Sequence, residues 1–195
     1  MDNKNEPFQL FSDWYSEALK RQAKEPAAVA LATADSEGKP SVRMVLLKAH
    51  GPEGFVFYTN LESTKGNHLK SNPWAAMCFH WDNLEKQIRI EGKVVPVSDA
   101  EADAYFATRA RDSQIGAWAS EQSRKLQATG DLAKRVASFT MKYGIGTVPR
   151  PAHWSGFRII PERIEFWHNR KFRLHDRFCF ERSGDGTWIR SELYP

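Results

Sequence analysis

The feature that most limits the possible folds is a succession of short β-prone runs separated by glycine-bearing turns. "AAVALATAD", "SEGKP" and "SVRMVLLKAH" read as strand, tight turn and strand, and "GPEG" then leads into "FVFYTN". "PWAAMCFHW" and "KQIRIEGKVVPVS" add two more strands. Within "LEKQIRIEG" the residues alternate, with Gln87, Arg89 and Glu91 on one face and Ile88 and Ile90 on the other. The tail supplies "FRIIP", "RIEFWHN", "FRLHDRFCFER" and "TWIRSELYP", with an "SGDG" turn before the last. Strands in hairpin order with helices inserted predict an α+β protein on an antiparallel sheet, curled into a closed or nearly closed barrel. At 195 residues the chain is expected to form one domain over 1–195, large enough to bury a core without disulfides or metal.

"PFQLFSDWYSEALKRQAKE" carries Phe8, Phe11, Tyr15, Ala18 and Leu19 at helical spacing, so an N-terminal helix is predicted over about 8–24, ended by Pro26. "ESTKGNHLKSN" reads as a short helix capped by Ser63. Ser98 followed by Glu101 is a capping box that opens "DAEADAYFATRA", and "DLAKRVASFTMKYG" is a helix closed by Gly144. "RDSQIGAWASEQSRKL" leaves helix and turn both open, and "GTVPRPAHWSG" reads as a loop.

A net charge of +4 lacks the strong asymmetry of a dedicated nucleic-acid binder and suits a handler of small phosphorylated anions. Cys78 and Cys179 lie in apolar runs and read as buried reduced thiols; their spacing makes no metal site. The chain has neither a Gly-x-Gly-x-x-Gly fingerprint nor a Walker loop, so phosphate recognition must use other devices. "MDNKNEPFQLF" lacks the layout of a signal peptide, and no run approaches the ~18 apolar residues of a membrane span. A soluble cytoplasmic protein is expected.

Several stretches place cations and hydroxyls together. In an extended "RLHDRF", Arg173, His175 and Arg177 share one face, each roughly 7 Å from the next. That face is either solvated or an anion site. Thr59, Ser63, Thr64 and Lys65 gather at a loop-to-helix junction, which serves equally as a phosphate cradle or as ordinary capping. Arg43 and Lys48 point to opposite faces of a regular strand. Tyr105, Arg109 and Ser113 share one side if their helix continues. His50, His68 and His153 read as loop or surface residues, and His80 as a candidate for the core. Neither a Ser/His/Asp arrangement nor a suggestive carboxylate pair is present. Cation-rich pockets with aromatic walls and no hydrolytic machinery point to chemistry carried by a bound cofactor.

"IEFWHNRKFRLHDRF" resembles the C-terminal signature of the pyridoxine (pyridoxamine) 5'-phosphate oxidases, and "RMVLLK", "VFYTN", "RDSQIGAW" and "EQS" are similar to the family's other blocks, in the family's order. The resemblance implies a split β-barrel homodimer with FMN at the subunit interface. It implies oxidation of pyridoxamine or pyridoxine 5'-phosphate to pyridoxal 5'-phosphate, with O2 reduced to hydrogen peroxide. By position, Arg43, Met44, Val45, Leu46, Leu47, Lys48, Tyr58, Thr59, Lys65, Gln87, Gln122, Ser123, Trp167 and Arg177 contact FMN. Lys48, Tyr105, Arg109 and Ser113 hold the substrate phosphate, and Arg173 and His175 lie over the substrate ring. On this reading the two bound anions offset the repulsion along "RLHDRF", and Arg173 and His175 orient the amine or alcohol without acting as a strong base. Three departures accompany the match. Thr64 stands where the family often has Arg, which implies either weaker FMN binding or a load shifted to Lys65 and the hydroxyls. Glu192 stands at a customary Arg, and the chain begins near its first helix, without the N-terminal extension of many members. The alternatives weighed against the oxidase are a split-barrel flavin reductase or other flavoprotein with a different substrate, and a nucleic-acid or interaction module.

Overall fold

Alternation in the β-prone runs becomes one antiparallel sheet, described in a computed structural model over residues 5–21 and 24–195. In chain order the elements are α1 (Glu6–Lys20), β1 (Ala28–Ala34), β2 (Pro40–Leu46), β3 (Ala49–Gly51), β4 (Gly54–Asn60), α2 (Thr64–Ser71) and β5 (Trp74–Trp81). They continue with β6 (Lys86–Pro96), α3 (Asp99–Thr108), α4 (Arg111–Ala119), α5 (Asp131–Tyr143), β7 (Trp154–His168), β8 (Asp176–Arg182) and β9 (Trp188–Glu192). The helix expected over about 8–24 is seen as α1; residues 22–23 of that range lie outside the described residues. Ser98 and Gly144 cap α3 and α5 as their sequence positions indicate, and the ambiguous "RDSQIGAWA" is the helix α4.

The strand order is β2-β1-β5-β6-β7-β4-β3, and β8 leaves the same path at β7, with β9 beside it. The fork is made by length. β7 pairs with β4 through Trp154–Ile159 and with β8 through Arg163–His168, while β6 follows it along the other edge. The sequence reading divided this strand in two at Pro161. It stays continuous because the register shifts between Glu91 and Gly92, placing Gly92 opposite Pro161, which has no N–H to offer the ladder. A Cβ on Gly92 would lie 2.1 Å from the Ile160 carbonyl oxygen, so this bulge requires glycine. The sheet then curls: Leu47 N–H bonds the Ala27 carbonyl at 2.8 Å and Lys48 N–H bonds the Val56 carbonyl at 2.8 Å, which carries the chain from the β1–β2 edge across to β4. The result is a split β-barrel with flanking helices.

Inward-facing Leu31, Met77, Phe79, Ile88, Ile90, Ile164 and Phe166 fill the barrel, and α1 closes it with Phe8, Phe11 and Ala18. Phe11 packs against Phe55 and Phe79 at centroid separations of 4.9 and 5.3 Å. Each such buried ring contributes about 1.5–3 kcal/mol. The histidines depart from the sequence reading. His50 is half-buried against Phe11 and Tyr15, where burial lowers its pKa, whereas His80 is exposed. Among the described residues no helix is long and apolar enough to cross a membrane, and no cluster of His, Cys, Asp or Glu is arranged to hold a metal ion.

Candidate active site

The site begins where β4 hands over to α2. Ser63 Oγ donates to the Asn60 carbonyl at 2.6 Å and accepts the Gly66 N–H at 3.3 Å, so the capping read from sequence is real. A Cβ on Gly66 would meet the Leu61 carbonyl oxygen at 2.4 Å, so only glycine lets the first turn of α2 press on the incoming chain. This turn brings a helix N-terminus, with its partial positive charge, to a cavity of about 640 Å³. That volume suits a small-molecule ligand. Met44, Val45, Leu46 and Lys48 form one wall, and Tyr58, Thr59, Asn60 and Lys65 a second. Tyr105, Arg109, Ala110, Ser113, Gly116 and Ala117 form a third, and Ser120, Gln122 and Trp154 complete it.

Tyr105, Arg109 and Ser113 do converge, but not on one continuing helix. The backbone leaves α3 at Arg109, with φ −71° and ψ 146°, and α4 starts afresh at Arg111. His153 holds α4 in place by donating from Nε2 to the Ala117 carbonyl at 2.9 Å, a role its reading as a loop residue missed. Arg43 and Lys48 separate: β2 ends at Leu46, so Lys48 lies beyond the strand and lines the cavity, whereas Arg43 is turned inward. Arg43 donates to the Leu31 carbonyl at 3.1 Å, Thr33 Oγ1 at 2.7 Å and Ser41 Oγ at 2.7 Å. Leu47 is buried in the core.

Among the described residues no carboxylate pairs with Lys48, Lys65 or Arg109 of the cavity. Lys65 is buried, and its Nζ donates to Gln122 Oε1 at 2.9 Å and Ser63 Oγ at 3.1 Å. Burial, and then the charge of Arg43, push its ammonium down to about 8. Burial likewise lowers Arg109, whose Nη1 is enclosed without a hydrogen-bond partner. A buried donor left unmade costs roughly 1–3 kcal/mol, more when charged. Beside it, residues 120–124 strap the β4–α2 connection. Ser123, at φ +74°, accepts the Thr64 N–H at 3.3 Å, Gln122 Oε1 also accepts from Thr59 Oγ1 at 3.4 Å, and Arg124 pairs with Glu62 at 2.5 Å.

A second group of sequence-predicted residues lies elsewhere. Gln87, Trp167 and Arg177 are cross-strand partners on β6, β7 and β8, hence on one outward face, and none of them lines the cavity. The expectation that Arg173, His175 and Arg177 share a strand face is corrected. Lys171–Arg173 form a single 3₁₀ turn, with Phe172 and Arg173 at φ +61° and +62°, and β8 begins only at Asp176. Arg173 is exposed on this turn, with Phe172 and Leu174 exposed beside it. His175 sits against Trp167, with ring centroids 4.7 Å apart, and its Nδ1 accepts the Arg170 N–H at 3.3 Å. A backbone N–H only donates, so the neutral ring carries its proton on Nε2. Arg177 donates to Glu165 Oε1 from Nε at 3.2 Å and Nη2 at 2.8 Å, and from Nη1 to the Tyr194 carbonyl at 2.9 Å. Glu165, almost fully buried, also pairs with Arg89 and Arg163. Burial raises its pKa, but the hydrogen bonds from Arg177 and Arg163 hold it below the usual carboxylate range. Repulsion along "RLHDRF" is thus relieved within the chain by the turn and by Glu165.

Sequence reasoning missed Asn60, Ala110, Gly116, Ala117, Ser120 and Trp154 as lining residues. Trp154 was readable only as part of a Pro/Gly loop; it opens β7 instead.

Residues 15–144 match the family model described as pyridoxamine 5'-phosphate oxidase, and residues 154–195 match the pyridoxine 5'-phosphate oxidase C-terminal dimerisation region. A pyridoxine/pyridoxamine 5'-phosphate oxidase of Rhodospirillum rubrum is 58% identical over 195 residues, covering 97% of this chain and 96% of the relative. Its counterpart in Maricaulis maris is 58% identical over 194 residues, covering 99% and 87%. Among solved structures, PhzG from Burkholderia lata in complex with tetrahydrophenazine-1-carboxylic acid superposes with a TM-score of 0.92 at 33% identity, covering 97% of this chain and 92% of that one. A pyridoxamine 5'-phosphate oxidase-related, FMN binding protein from Nostoc punctiforme shares the fold, with a TM-score of 0.76 at 16% identity and coverages of 94% and 96%. With family matches across most of its length and relatives this similar over nearly all of it, the chain belongs to the pyridoxamine 5'-phosphate oxidase family.

Proposed function

We propose that this chain is an FMN-dependent oxidase that converts pyridoxamine 5'-phosphate or pyridoxine 5'-phosphate to pyridoxal 5'-phosphate. The observation that carries this reading is a cavity lined by both Arg109, which has no carboxylate partner among the described residues, and the buried, charge-stressed Lys65. Two separated cationic points suit two phosphates, one on the cofactor and one on the substrate. The donor set fits a phosphorylated flavin: Lys65, Thr59, Gln122, Ser123 and the N-terminus of α2 would hold its phosphate, and Met44, Val45 and Leu46 would flank its body. The Thr64 N–H is already engaged by Ser123, and Lys65 carries the charge that an arginine at 64 would otherwise share.

When bound, the flavin supplies a two-electron acceptor that O2 regenerates with formation of hydrogen peroxide. Lys48, Tyr105, Arg109 and Ser113 grip the substrate phosphate and so fix the distance from the phosphate to the reacting carbon. Such anchoring converts binding energy into orientation, which supplies much of the rate. His175, with its proton on Nε2, and Arg173 donate hydrogen bonds toward the substrate and orient its amine or alcohol.

Gln87, Trp167, Arg173, His175 and Arg177 do not line the cavity of their own chain, so the complete site is assembled from two copies. The match to a dimerisation region supports this, as does the outward face of the sheet, where Val42, Met44, Leu46 and Trp74 are exposed large apolar side chains. The cofactor then lies at the interface.

The test is the visible spectrum of the purified holoenzyme without air. Pyridoxamine 5'-phosphate is expected to bleach the yellow absorption, and admitted O2 to restore it with release of peroxide. Persistent colour with saturating substrate would overturn the assignment and favour a flavoprotein with another substrate.

A further inference from the structure

Two arginines approach Trp154, and the fold treats them in opposite ways. Arg150 is neutralised, with Nη2 2.7 Å from Asp99 and Nε 2.5 Å from Asp103, and its Nη1 donates to the Trp154 carbonyl at 2.9 Å. Arg109 has no carboxylate partner among the described residues, and its Nη1 is buried without a hydrogen bond. What Arg109 has is an aromatic face. Its guanidinium carbon lies 4.6 Å from the centre of the Trp154 ring and 5.6 Å from that of Phe106. Stacking offsets part of the desolvation cost and uses none of the five N–H donors, which point along the guanidinium edge. A carboxylate would offset the same cost by occupying those donors and cancelling the charge.

The indole is itself held firmly. Trp154 is 6% exposed. It lies parallel to Tyr58 at 5.3 Å and edge-on to Phe106 at 5.1 Å. Its backbone is fixed as well: the Trp154 main-chain N–H bonds the Pro151 carbonyl at 2.9 Å, and the residue pairs with Asn60 at the end of β4. We infer that Trp154 is the positioning residue for Arg109: its ring fixes the guanidinium plane while leaving charge and donors free, so capture of the substrate phosphate depends on the indole. The inference deepens the reading of the cavity given above and rests on it.

The experiment compares Trp154→Leu, Trp154→Phe and Arg109→Leu holoenzymes with wild type in steady-state oxidation of pyridoxamine 5'-phosphate. Equilibrium dialysis of pyridoxal 5'-phosphate gives affinity independently of turnover, and flavin content is measured for each. Trp154→Leu is expected to raise KM and the dissociation constant roughly tenfold with kcat near wild type, because a stacked cation is worth about 1–2 kcal/mol when desolvated. Trp154→Phe, which keeps a weaker ring, should recover most of the loss and leave flavin content unchanged. Should the leucine variant not fold, the phenylalanine variant must still show a measurable rise in KM for the phosphorylated substrate, with none for unphosphorylated pyridoxamine. Unchanged KM in both Trp154 variants, or equal losses in the two, would overturn the platform role. If Arg109→Leu also leaves KM unchanged, the phosphate assignment of the cavity fails as well; if Arg109→Leu alone raises KM, only the platform role fails.

Discussion

Lys65 concentrates the electrostatics of the site in one side chain. Its folded pKa is held down to about 8 by burial and then by Arg43, against about 10.4 for a free lysine. Between those values the unfolded chain binds more protons, so the stability of the ligand-free protein rises with pH across the window, and the buried charge costs stability below it. A bound phosphate restores the charge, so its binding takes up a proton there. FMN affinity, followed by quenching of flavin fluorescence, is therefore expected to weaken as pH rises from about 8 towards about 10. Lys65→Arg should flatten that slope, because a guanidinium does not titrate there. Lys65→Met should weaken binding at neutral pH by roughly ten- to a hundredfold, the worth of a charge-assisted hydrogen bond. A wild-type profile without slope would refute the account. Residue types at this site were legible in the sequence: Thr59, Lys65, Tyr105, Arg109 and Ser113 all reach the cavity. What was not legible is compensation. Spacing alone does not show that Arg177 is neutralised by a buried Glu165 twelve residues earlier while Arg109, with no carboxylate partner among the described residues, stacks on Trp154.

At the scale of elements, the site depends on close approach. The first turn of α2 lies against the backbone of Asn60 and Leu61, and Gly66 is the contact point. Gly66→Ala gains about 1 kcal/mol of helix propensity, but overpacking against backbone that cannot yield costs about 1–3 kcal/mol. The net expectation is a lower thermal midpoint and a larger loss of bound flavin than the stability change accounts for, because the helix N-terminus is displaced from the cavity. Thermal melts with and without FMN check this; an unchanged ligand-induced stabilisation would count against it. Hairpin strands and capped helices were readable because their signals are local: period-two alternation, Ser63 and Ser98 caps, and Gly144. The "RLHDRF" segment was not, since the same alternation serves a strand and an irregular loop. Two residues in left-handed conformation turn the chain before β8 begins. Pro161 misled in the other direction, because β7 carries one extra residue, Glu162, opposite the Glu91–Gly92 step of β6, and this irregularity absorbs the proline.

For the whole molecule, the two residue groups predict complementation between subunits. Homodimers of Arg109→Leu and of Arg173→Leu are each expected to oxidise pyridoxamine 5'-phosphate poorly. Co-expressed, they form mixed dimers in which one of the two sites has all its native residues, so the mixed preparation should regain a substantial part of wild-type kcat at saturating substrate. Activity no greater than the average of the two parents would mean that each chain builds its site alone. The dimerisation region matched over residues 154–195 begins at the first residue of β7, as though it were a detachable module. The fork in β7 denies it that independence. Its first half is wedged between β4 and β6, so severing the backbone before Trp154 would strip β4 of its long neighbour and lay bare Phe55 and Phe57. The portion matched as the dimerisation region is also the keystone of the individual barrel, so a chain cut back to residue 153 is expected to lose its fold together with its partner.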